Sequence, residues 1–159
     1  MTETRPLAGR AEVEVSFFRT AVALLAGWLV PGAGHAILGR ARRGAVFFLL
    51  VMGSFGIGLA EDGRLALYSS RDWFLTGLQL IANLGVGPAD AFARTSVYGE
   101  VVYRLPEQSD PSHAALIGTF RERQRSALSA HGTAFLWTAG MMNLLLLMDV
   151  WDIAKRRKE

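Results

Sequence analysis

The chain contains no cysteine. That excludes a disulfide framework and every thiolate-ligated metal centre. Charge is scarce too: 19% of the 159 residues are Asp, Glu, Lys or Arg, against about 25% in soluble domains. With 51% hydrophobic residues, so little charge excludes intrinsic disorder, which needs the opposite balance. The three histidines, His35, His113 and His131, lie far apart and have no ligand spacing, so no metal and no cofactor is expected. The short patterns GxSxG, HExxH and GxxxxGK[ST] are all missing, so no nucleophile elbow, zinc-protease helix or phosphate loop is expected.

What is present is long apolar runs. Segments 17–38, 44–60, 73–92 and 132–153 are apolar, separated by polar stretches. At about 1.5 Å per helical residue, about 20 residues cross a hydrocarbon core of about 30 Å. The expected fold is therefore all-α: an integral membrane protein with three or four transmembrane or re-entrant helices in one domain over residues 17–153. Residues 1–16 read as a polar arm and residues 154–159 as a basic tail. A cleaved signal peptide is disfavoured by Glu3, Glu12 and Glu14 and by the long polar lead. The net charge of +3 fits Lys and Arg flanking spans. The basic residues do not alternate with aromatics on one polar face, so nucleic acid is not an expected partner.

Two apolar segments carry breaks. Pro31-Gly32-Ala33-Gly34-His35 interrupts the first, because proline removes an amide and clashes with the preceding turn. The helix is expected to end near Val30. Gly85, Gly87 and Pro88 break the third near its end. The breaks matter for topology. With four full spans, Arg40–Arg43 would lie opposite the basic tail, against the rule that Lys and Arg collect on the cytoplasmic side. A re-entrant first or third segment is the other solution.

The polar insert, residues 93–131, holds one amphipathic helix. Asp110-Pro111 is a good helix start. At about 100° per residue, Leu116, Ile117, Phe120, Ala127 and Leu128 share one face, with Arg121 and Arg123 at its edges. Such a helix either lies in the bilayer interface or packs on the protein's own loops. Ser54 and Gly58 make a small-xxx-small surface for a neighbouring helix.

Polar groups inside apolar segments cost free energy, so each is a candidate for function. The turn residues Gly32, Gly34, His35, Arg40, Arg42 and Arg43 form a candidate site for an anionic lipid headgroup. The simpler reading is a tight turn, with His35 bonding carbonyls freed by Pro31. Gln79, Asn83 and Asn143 are placed for amide bonds between helices. Asp149 and Asp152 lie one helical turn apart. Asp152 can pair with Lys155 or Arg156, and Asp149 with Arg19 or a residue of Arg40–Arg43. No nucleophile accompanies the two carboxylates, so no catalytic residue is assigned.

Residues 29–44, LVPGAGHAILGRARRG, resemble a PGxGHxYLGRxxxG-type hairpin. Residues 132–158, GTAFLWTAGMMNLLLLMDVWDIAKRRK, resemble a closing GTxFxxxAGxxNxLxxxDxxDIxxxRK helix, and residues 77–88, GLQLIANLGVGP, fit the middle span. Together they resemble an uncharacterised bacterial family of multi-pass membrane proteins, a domain of unknown function. The hairpin is also distantly similar to the two-transmembrane-helix domain. Ile37 departs from the pattern, where an aromatic residue is common. The resemblance implies a bacterial inner-membrane protein with no known reaction. The function expected is non-enzymatic, as a subunit or accessory factor of a larger membrane complex. The alternative is a small lipid-binding or transport module using the Pro31–Arg43 hairpin. Expected partners are membrane lipids and other membrane subunits or a second copy of the chain.

Overall fold

The structure, a computed structural model, describes residues 8–106 and 111–155, with side chains from residue 17 onward. Among the described residues there are seven α-helices: α1 Ala8–Leu29, α2 Ala33–Ile37, α3 Ala41–Ala60, α4 Trp73–Leu84, α5 Pro88–Tyr98, α6 Ala114–Arg125 and α7 Ser129–Ala154. A 3-10 turn, Pro111–His113, precedes α6. No sheet forms among the described residues. The segments around Tyr68 and Arg104 run side by side through a single bridge, with Tyr68 N–H donating to the Tyr103 carbonyl over 2.7 Å. The expected all-α class holds at this level. Two helices, α3 and α7, are long and apolar enough to cross a membrane.

Helix α1 starts at Ala8, inside the stretch whose polar composition reads as an arm. The rest of that arm and the basic tail from Arg156 onward lie outside the described residues, as does Asp110. Both sequence breaks are real. Pro31 ends α1 after Leu29, and Gly32 turns the chain with φ of 82° into α2. Gly87, with φ of 70°, starts α5 with Pro88 in its first turn, where a missing amide costs nothing.

Helix directions follow from the close approaches. Gly58 of α3 faces Gly132 and Leu136 near the start of α7, while His35, packed on Phe47 of α3, meets Asp149 near its end. Thus α3 and α7 are antiparallel. Gly27 of α1 lies against Leu147, and a Cβ at Gly34 would meet both the Ala23 carbonyl and Val150. Passing from Ala23 to Gly27 therefore runs backward along α7, so α1 is also antiparallel to α7 and parallel to α3. Short α2 is the return leg of a hairpin. At the other end Thr76 and Gln79 of α4 stand near Thr133 and Trp137, and Gly85 abuts Gly140. Helix α4 descends along α7 to its middle. Helix α5 then climbs back, since Tyr98 bonds the Leu65 carbonyl near the α3 exit.

The core gathers where α3 ends and α7 begins. Val51, Phe55, Leu65, Leu67, Val86, Tyr98, Leu116, Ile117 and Leu136 form it. Leu116 and Ile117 put the apolar face of α6 into that core, and Arg123 donates to the Gly63 carbonyl over 3.0 Å. Of the two readings of this helix, packing on the protein's own loops is the one seen.

Candidate functional site

The two hairpins come from opposite ends of α7 and meet beside its midpoint. Trp28, at the end of α1, donates from Nε1 to the Leu84 carbonyl over 3.1 Å. Gly87 packs so closely on Trp28 that a Cβ there would overlap the Trp28 carbonyl oxygen. Asn143 joins both tips: its Nδ2 donates to the Gly27 carbonyl at 3.2 Å and to the Gly85 carbonyl at 2.8 Å. These carbonyls are freed where helices stop, and in an apolar setting each needs a donor. Asn143 thus bonds backbone rather than another amide. Asn83 is fully buried, and neither atom of its amide has a hydrogen-bond partner. Gln79 lies apart from both, lining a cavity nearer the start of α7.

Closer to the end of α7, His35 is fully buried, with Nε2 3.0 Å from Asp149 Oδ2 and its ring edge-on to Phe47 at 4.9 Å. The carbonyls freed by Pro31 are the partners expected for His35; the structure places its Nε2 on Asp149. Arg19, considered as a partner of Asp149, donates to the Ile37 carbonyl at 3.2 Å. Gly32 and Gly34 are at contact points: a Cβ at Gly32 would overlap the Gly44 carbonyl oxygen. Arg40, Arg42 and Arg43 lie just beyond, with Gly39 and Ala41, around an open hollow of about 460 Å³. Asp152 is half-buried one turn past Asp149, and Arg156 is outside the described residues. Lys155 Nζ sits 5.0 Å above the Trp151 ring.

Sequence reasoning missed the strongest polar cluster. Arg94 is fully buried. Its Nε donates to Asp90 Oδ2 over 2.7 Å, and its Nη1 to the Ala66 and Val102 carbonyls at 2.9 and 2.7 Å. The Tyr103 ring lies 4.4 Å from the guanidinium. The buried Tyr98 phenol donates to the Leu65 carbonyl over 3.3 Å. The available signal was the i,i+4 spacing of Asp90 and Arg94 directly after Pro88. No group of three or more His, Asp or Glu among the described residues could hold a metal ion.

Residues 22–159 match a family of unknown function, DUF6677, and the chain belongs to it. No curated protein and no solved structure is significantly similar to the chain.

Proposed function

We propose that this member of the family is a non-enzymatic integral protein of the bacterial inner membrane, working as a subunit or accessory factor of a larger membrane assembly. In this reading α3 and α7 cross the bilayer. The apolar part of α1, residues 17–29, is about 20 Å long and α4 about 18 Å, so each reaches about two-thirds of the way through a core of about 30 Å. Both segments are then re-entrant, entering from opposite faces. Among the described residues twenty-five large apolar side chains are exposed, far more than the scattered apolar residues of a soluble surface. They include Phe48, Leu49 and Leu50 on α3, Phe74, Leu75 and Leu78 on α4, and Leu145 and Met148 on α7.

The observation that carries the non-enzymatic reading is where the buried polar groups point. Asn143 and Arg94 direct their donors to backbone carbonyls that the breaks and loops leave open. They hold irregular backbone together, as such backbone requires at membrane depth. A second reading is supported by the hollow bordered by Arg40, Arg42 and Arg43: a site for an anionic lipid headgroup, given that clustered arginines at a membrane surface attract such lipids.

One experiment separates the two. The full chain and an Arg40→Gln, Arg42→Gln, Arg43→Gln variant are purified from the native host in mild detergent, and everything retained is identified by mass spectrometry. Protein partners at fixed stoichiometry with both forms support the subunit reading. A lone chain carrying anionic lipid that the variant loses supports the lipid reading instead. A lone chain with equal lipid in both forms overturns both.

A further inference from the structure

A cavity of about 260 Å³ lies beneath the 64–67 segment, between α4, α6 and α7, at the end of the molecule opposite Arg40–Arg43. Its wall carries both signs of charge, Arg64 and Asp72, which form no ion pair with each other. Two buried donors in this wall, Arg64 Nε–H and Trp137 Nε1–H, have no acceptor among the described residues. Buried donors left unpaired are costly, and both belong to the one cavity. Gln79 and Gln124, whose amides donate and accept, and the hydroxyls of Thr76 and Thr133 complete the polar lining.

The complement of this wall is an acceptor for two N–H groups together with a cation. A purely anionic ligand would face Asp72, and a purely cationic one Arg64. We propose that the cavity binds a compact zwitterion, an oxyanion joined by a short carbon chain to a primary ammonium. The oxyanion takes the N–H groups of Arg64 and Trp137, and the ammonium faces Asp72. A planar guanidinium and an indole N–H suit an oxyanion, because charge-assisted hydrogen bonds are the strong ones. Two sources carry this chemistry: a free solute and the headgroup of phosphatidylethanolamine. The site goes beyond the subunit reading and does not depend on it.

The test uses the full chain in detergent. O-phosphoethanolamine and inorganic phosphate are titrated by calorimetry. In parallel, lipid retained from equimolar phosphatidylethanolamine and phosphatidylcholine vesicles is measured by mass spectrometry. Trp137→Phe keeps an aromatic ring and removes the indole N–H together with the five-membered half of the ring. It is expected to weaken O-phosphoethanolamine, or retention of phosphatidylethanolamine, about 10- to 100-fold. Asp72→Asn, at an exposed position, is expected to weaken the zwitterion and to tighten inorganic phosphate, which no longer faces a carboxylate. Binding of the soluble probe without lipid selectivity identifies a free solute as the source, and lipid selectivity identifies the headgroup. If the wild-type chain takes neither, or if both variants bind like wild type, the cavity holds water only and the proposal is overturned.

Discussion

Arg94 shows how a single residue can organise loops far apart in sequence. Its guanidinium joins α5 to Ala66 on one segment and Val102 on another, while Asp90 supplies the opposite charge within the same helix. A buried charge is tolerable only when paired, and removing one partner costs about 3–5 kcal/mol. Asp90→Ala is therefore expected to destabilise the chain by about that amount, read as a lowered unfolding midpoint in detergent. Arg94→Met in the same background should recover part of the loss, because no uncompensated charge then remains. An equal midpoint for wild type and Asp90→Ala would show the pair to be idle. The i,i+4 spacing was visible in the sequence. The burial was not, because it comes from residues 66 and 102, which no local pattern connects to α5.

At the scale of elements, the breaks and the contacts between helices differ in how readable they are. Pro31 and the Gly85–Pro88 stretch announce where α1 and α4 stop, since proline and glycine act through local backbone sterics. The direction of the chain after each stop is set by packing. Gly27 against Leu147, Gly58 against Gly132 and Gly85 against Gly140 decide it, and these are contacts between distant residues. Of the small pair read from the sequence, Gly58 does face another helix. Its partner glycines on α7 gave no separate signal. Gly140 makes the tightest approach: a Cβ there would overlap the Ala82 carbonyl oxygen. Gly140→Ala must push α4 away from α7 and is expected to cost about 1–3 kcal/mol or more. Gly77, on the same helix α4, faces open space. Gly77→Ala should be neutral or stabilising by up to about 1 kcal/mol. Thermal unfolding of the two variants side by side checks the contrast, and equal midpoints would mean that the α4–α7 contact does not hold the fold.

For the whole molecule, the two hairpins change which residues share a side. Four full spans would set Arg40–Arg43 against the basic tail. With α1 and α4 both stopping beside the middle of α7, Arg19, Arg40, Arg42, Arg43 and Lys155 gather at one end, so Arg40–Arg43 no longer lie opposite the start of the tail. The opposite end holds arginines as well: Arg94 and Arg123 there are bound to backbone carbonyls, while Arg64, Arg71, Arg104, Arg121 and Arg125 lie there beside acidic Glu61, Asp62, Asp72 and Glu100. The charges in the sequence left two solutions open, a failure of the positive-inside rule or a re-entrant first or third segment. They could not show that both α1 and α4 stop beside the middle of α7, because that depends on Asn143 and on glycine contacts across helices. A chain without cysteine is suited to the test. Single cysteines replace Glu12, Ala41, Ser70, Glu100 and Lys155, and a membrane-impermeant maleimide is applied to spheroplasts. Cysteines at 70 and 100 are expected to react from outside, and those at 12, 41 and 155 only after permeabilisation. A full first span would expose position 12 on the side opposite 41. A full third segment would put 70 and 100 on opposite sides. Either pattern overturns the paired hairpins, and with them the role given to Asn143 as the clamp between their tips.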